Sequence, residues 1–332
     1  MAHVGRVPES QTHAHSRQQM EKREKFRWLI VLAAASGAAL AEPTLESAPR
    51  GEAGVRYWAS TGDTKRSHNA QPLDPTLGNP TSVLLYENLD ANTLEVFGRR
   101  NFGDWFLKGF LGIGSVNRGV FRDEDFNAGQ IKFSDTTSSV TGGRIGYGAV
   151  DIGRADWVFN TERLAVVPFV GYGQWSETVD AYGATDHLGF IGGDIPHNVL
   201  VITNKVVWKA LRVGVAAQLD IGPRTRLDVD LALVPYGKVR NDDSHHLRTS
   251  PTDLGPVPNI VLEGEGRGVQ ADVELRHEVR RHTQIGIGVR YWHLDAYEGE
   301  RFLPNRPDVP RLPIVELYSR RFGITLNARR SW

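Results

Sequence analysis

Apolar and polar side chains alternate with a period of two along most of the chain from residue 53 onward. A β-strand turns successive side chains to opposite faces, so this period predicts strands. The last segment shows it most cleanly. Tyr318, Phe322, Ile324, Leu326, Ala328 and Trp332 share one face, while Ser319, Arg321, Gly323, Thr325, Asn327 and Ser331 share the other. Arg320 and Arg330 interrupt the apolar face near the strand ends, where a long cationic side chain reaches water. Ile285, Ile287, Val289 and Tyr291 alternate with Gln284, Gly286, Gly288 and Arg290, and Leu227, Val229, Leu231 and Leu233 alternate with Asp228 and Asp230. The pattern predicts about ten strands. They fall near residues 53–61, 82–100, 104–116, 137–152, 164–181, 199–219, 225–240, 264–279, 283–298 and 316–332.

The connections between these segments alternate in length. Short ones fall near Asn101–Gly103, Gly153–Arg163, Asp220–Arg224 and Arg280–His282, and long ones near 62–81, 117–136, 182–198, 241–263 and 299–315. A membrane barrel has short periplasmic turns, long outer loops, an apolar outside and a small or polar inside. The fold class predicted is all-β, an antiparallel transmembrane β-barrel of about ten strands with long extracellular loops on one rim. The terminal Trp332 is similar to the aromatic that ends the last strand of bacterial outer-membrane proteins. A soluble β-sandwich or lipocalin-like barrel shares the alternation, but strands of about 12 residues or more and the terminal aromatic argue against it.

The N-terminus predicts export. Lys22, Arg23, Lys25 and Arg27 precede a short apolar stretch, Trp28 to Ala41, that ends in Ala39-Leu40-Ala41. Small residues at Ala39 and Ala41 fit a signal-peptidase site before Glu42. Residues 1–41 are therefore read as a signal peptide with an N-terminal extension, and 42–332 as the barrel. A membrane anchor is the other reading of this stretch, which is short of the roughly 20 residues a spanning helix needs. Lys and Arg balance Asp and Glu at 39 each, which argues against a nucleic-acid partner. With no cysteine, thiol nucleophiles and disulfides are excluded.

Two short motifs carry candidate chemistry, and the pattern places both at the start of long loops. They are Asp123-Glu124-Asp125 and Asp243-Ser244-His245. Residues two apart in extended chain point the same way, so Asp123 and Asp125 present two carboxylates, and Asp243 and His245 a carboxylate beside an imidazole. Because the long loops share a rim, the pairs can face each other across it. An imidazole oriented by a carboxylate takes a proton from water, and crowded carboxylates hold that water. Other readings are a charged loop tip that binds Ca²⁺ weakly and a surface metal site at His245-His246, for which no third ligand is evident.

With these motifs in this order, the chain resembles the omptins, ten-stranded outer-membrane proteases of Gram-negative bacteria. The resemblance covers residues 53–332 and is thin in identity outside the motifs. It implies an aspartyl-type endopeptidase in the outer membrane with its site facing the extracellular side. Asp123 and Asp125 would bind the water, and Asp243 and His245 would activate it. It further implies peptide or protein substrates cut near basic residues, no metal or covalent cofactor, and lipopolysaccharide as a lipid partner needed for activity. Barrel-insertion machinery is the remaining partner expected. Two positions depart from the pattern. Arg66 stands where an acidic specificity residue is expected, and Asn241 stands two before Asp243. Asp63 and Asp242 are the nearby acids able to replace them as substrate-binding residues. The competing class is a non-enzymatic barrel: an adhesin, a small porin or an inactive omptin-like protein. A lipid A-modifying enzyme lacks a clear set of residues here.

Overall fold

The computed structural model describes residues 50–155 and 159–332; the segment read as an export signal lies outside the described residues. The alternation folds as ten long strands. They are β1 Gly51–His68, β2 Leu77–Phe102, β3 Trp105–Asn127, β4 Ile131–Arg154, β5 Leu164–Asp186, β6 Ile195–Gly222, β7 Thr225–His245, β8 Ile260–Arg280, β9 Thr283–Phe302 and β10 Leu312–Ser331. A two-residue strand, Phe159–Asn160, pairs with the start of β5. Every long strand pairs antiparallel with its neighbours in sequence. β1 then pairs with β10, from Glu52–Ser331 up to His68–Ile314, and the sheet closes on itself. Closure satisfies the backbone groups that an open edge would expose.

Side-chain parity sorts the wall into two surfaces. From Ser319 to Ser331, β10 alternates buried and exposed at every residue. Its outward Phe322, Ile324 and Leu326 are about half exposed, as are Leu94, Val96, Leu111, Ile113, Leu231, Leu233, Ile285 and Ile287 on other strands. A belt of exposed large apolar side chains inverts the rule for water-soluble proteins and suits lipid. The belt lies toward the short turns. Toward the long connections the outward positions become charged. Lys65 pairs there with Glu316, Lys132 with Glu124 and Asp135, and Arg240 with Asp242 and Glu263. The barrel therefore continues well past its apolar belt.

That continuation corrects the expected loops. The connection expected at 117–136 is strand apart from a single turn, Ala128–Gln130, and the one expected at 62–81 shrinks to 69–76. The other rim connections run 187–194, 246–259 and 303–311. Beyond the belt the outer face meets water, so apolar alternation fades while the backbone ladder persists. Hydropathy reports what a face touches; it does not report where pairing ends.

The interior is layered. Nearest the short turns lies a charged network, in which Arg290 donates to Glu95 at 2.6 Å and Arg212 to Asp151 at 2.9 Å. Above it, Trp58, Tyr147, Trp175 and Trp292 pack edge to face or tilted, with centroids 5.0–6.1 Å apart. All four are buried and fill the lumen. Above these rings, Leu84, Tyr86, Phe121, Val206, Leu262 and Leu317 form an apolar floor beneath the mouth.

Candidate active site

The two acidic motifs lie on strands, at the tops of β3 and β7, and not in loops. Pairing fixes their direction. Asp123 stands between Leu84 of β2 and Thr136 of β4, and Asp125 between Ser82 and Ser134. Leu84, Ser82 and Ser134 are all buried, so this register faces the lumen. Asp243 stands between Asn204 of β6 and Ile260 of β8, which are likewise buried. His245, two residues on, shares its side. The two strands sit four apart around the ring, so their inward side chains look toward each other.

Asp243 is fully buried and its Oδ2 lies 2.8 Å from His245 Nε2. With Nε2–H donating to the carboxylate, Nδ1 carries the lone pair. Asn259 holds the backbone beneath the ring: its Oδ1 accepts the His245 N–H at 2.9 Å and its Nδ2 donates to the His245 carbonyl at 3.1 Å. The imidazole is thus fixed from both sides.

Arg66 is the residue whose part the sequence hid. It lies inward on β1, buried, and donates a short hydrogen bond through Nη2 to the same Asp243 Oδ2. The position expected to lack a specificity acid therefore supplies a cation to the dyad. Period two could have found it. Arg66 shares parity with Trp58 and Thr64, both buried, but its segment read as loop.

The carboxyls respond to this setting in opposite ways. Burial and then the neighbouring Asp125 push the Asp123 carboxyl well up, with Arg66 offsetting part of the effect. Burial also raises Asp125, against hydrogen bonds from Ser82 and Ser134 and the nearby charges of His245 and Arg248. Burial pushes Asp243 up too, but Arg66 and His245 outweigh it and hold its carboxyl below the usual range. A pair split this way has one carboxylate kept ionised and another able to carry a proton. Asp123 Oδ1 and Asp243 Oδ1 are buried without a protein partner. Buried polar atoms need one, and a bridging water satisfies such a set.

The two acids proposed for substrate binding are not brought to this site. Asp63 faces outward, accepting from Arg320 Nε at 2.7 Å and from the Asn88 N–H at 3.1 Å. Asp242 also faces outward and accepts from Arg240 Nε at 2.8 Å. Asn241 does face inward, buried, and donates to Asn204 Oδ1 at 2.7 Å. His246 hydrogen-bonds Thr203 at 2.9 Å, away from His245. Among the described residues no group of three or more His, Asp or Glu is arranged to hold a metal ion.

No family model and no curated protein matches the chain. Among solved structures it is similar to the outer membrane protease OmpT from Escherichia coli, with a TM-score of 0.68 and 13% identity over 85% of this chain and 96% of that one. It is also matched to the Pseudomonas putida toluene transporter TodX (10% identity, 87% of this chain and 92% of that one, TM-score 0.29) and the Ralstonia pickettii toluene transporter TbuX (8%, 86% and 90%, 0.30). The last two superpose too poorly to carry an argument. At these identities the likeness establishes the fold alone, and that fold is the outer-membrane β-barrel.

Proposed function

We propose that the protein is an endopeptidase of the bacterial outer membrane that cleaves peptide bonds with a water activated by Asp243 and His245, its site open to the extracellular side. The observation that carries this reading is the Asp243–His245 hydrogen bond, facing the raised Asp123–Asp125 pair across the barrel mouth. His245 Nδ1 takes the proton as the water attacks the substrate carbonyl, and returns it to the leaving amine as the C–N bond breaks. Asp243 holds the ring and stabilises the imidazolium. Asp123 and Asp125, sharing a proton between them, hold the water and donate to the developing oxyanion. No covalent enzyme intermediate, metal or cofactor is used. Lipopolysaccharide and the outer-membrane lipid are the expected surroundings, and peptides or proteins the substrates.

The test is cleavage of a broad, end-blocked peptide library by the purified protein with added lipopolysaccharide. Asp243→Asn and His245→Ala should each lower kcat/KM by roughly 10²–10⁴ while the barrel stays folded, as judged by its heat-dependent gel mobility. If the wild type cuts nothing, the reading fails.

One observation favours a non-enzymatic barrel. Arg66 on Asp243 spreads the charge that the imidazole relies on. An adhesin or inactive relative fits that pairing. A porin does not, because buried aromatic rings fill the lumen.

A further inference from the structure

The mouth gathers three guanidinium groups around the acidic dyad, and only two of them are engaged. Arg66 is bonded to Asp243. Arg248 holds Asp253 through two hydrogen bonds, at 3.0 and 2.6 Å. The side chain of Arg301, on β9, makes no hydrogen bond or ion pair with any described residue, and its Nε is buried without a partner. Register places it well. Arg301 stands opposite Leu262 of β8, and Leu262 stands opposite Asn241 of β7. Leu262 is fully buried and faces inward, so Arg301 and Asn241 share its level and its direction. Arg301 therefore lies beside the dyad, in the row below Asp243.

A half-buried cation whose guanidinium is not hydrogen-bonded is costly. Here the cost is visible, because burial and then the like charge of Arg66 bring the Arg301 guanidinium down to about 10, with Asp243, already shared by Arg66 and His245, offsetting only part of the effect. It still carries its proton at neutral pH. The nearby His68 adds no charge, since burial, Arg301 and Arg66 hold its imidazole at about 3. Nor do the positions weighed for binding a substrate Lys or Arg offer it an acid here: Asn241 is a neutral amide hydrogen-bonded to Asn204, and Asp63 and Asp242 point out of the barrel.

Resting on the endopeptidase reading, we propose that the site takes an acidic substrate residue beside the scissile bond, its side-chain carboxylate received by Arg301. A planar guanidinium beside the dyad offers a carboxylate two parallel donors. A substrate Asp or Glu would supply the bonded carboxylate that Arg301 lacks, since Asp243 is taken by Arg66 and His245, whereas a Lys or Arg would meet like charge from Arg301 and Arg66.

End-blocked degenerate peptides, cut by the purified protein in lipopolysaccharide-containing micelles and sequenced, test this. Cut sites should be enriched in Asp or Glu. Arg301→Gln should shrink the acidic-to-neutral ratio of kcat/KM by roughly 10- to 100-fold, and Arg301→Glu should turn the preference toward Lys and Arg. Cleavage with basic or no charge preference, or a ratio unmoved by Arg301→Gln, overturns the inference and leaves the endopeptidase standing. If nothing is cut, fluorescence anisotropy with a labelled, end-blocked Glu-containing peptide separates the two claims. Binding weakened about tenfold or more by Arg301→Gln supports acidic recognition while the protease reading falls. Equal or absent binding overturns both.

Discussion

At the scale of single residues, one carboxylate organises the site. Asp243 is buried, yet it stays ionised because Arg66 and His245 both bond its Oδ2. Removing one partner of a buried pair leaves the other charge uncompensated. Arg66→Ala should therefore destabilise the barrel by about 3–5 kcal/mol, read from the urea midpoint of the protein in micelles. Asp123 behaves oppositely. Its folded carboxyl titrates above the ordinary 3.8, so its contribution is fully present below that pH and is lost as pH rises through the raised value. Asp123→Asn should consequently raise the melting temperature at pH 8 and leave it unchanged at pH 3. An equal gain at both pH values would show that ionisation of Asp123 is not the cause. For Asp243 the held-down carboxyl gives the reverse sign, with stability present above 3.8 and lost as pH falls through its lowered value. The pairing of each motif was legible in the sequence, since residues two apart share a face. The same parity turns Asp242 away from Asp243, which the choice of Asp242 as a substrate-binding acid overlooked. Parity gave the inward direction of Arg66, but neither its bond to Asp243 nor the place of Arg301 was legible, because hydropathy says nothing of which opposite wall a long side chain reaches.

At the scale of the strand, the informative feature is how parity survives beyond the lipid belt. β2 turns Tyr86 inward and also Leu89, three residues on, and both are fully buried. An extra residue makes that possible. Asn88 sits at φ 52, in the left-handed region that Asn tolerates better than most residues, and the ladder to β3 shifts between Glu87 and Asp90. The bulge sets both neighbours. The Asn88 N–H reaches Asp63, and the Leu89 carbonyl accepts from Arg321 at 2.8 Å. Asn88→Val should cost about 1–3 kcal/mol and Asn88→Gly little, measured by the same urea midpoint. Equal costs would mean the backbone there is unstrained. Strand number, order and connectivity were readable from the alternation, because each strand crosses a belt where lipid demands apolar side chains. Strand ends were not. Once both faces touch water or a polar lumen, residues such as Arg122, Glu124 and Lys132 read as loop while still paired in a sheet.

At the scale of the whole molecule, the layers divide the labour. The apolar belt lies near the short turns, the aromatic rings close the lumen, and the site stands above both. Ten residues of strand from Ile113 to Asp123, at about 3.3 Å each and tilted, lift it roughly 25 Å above the belt. In planar lipid bilayers the protein should show no stable conductance steps; regular open steps would mean the ring layer does not close the lumen. The central claim is that two distant strands act on one water. A double-mutant cycle on kcat/KM tests this most directly, using Asp123→Asn, His245→Ala and the pair together on a cleaved peptide. Groups that work as a unit are strongly non-additive, so the double variant should be about as active as the worse single variant. Losses that simply multiply would contradict a shared water and leave the two motifs as independent features of the rim.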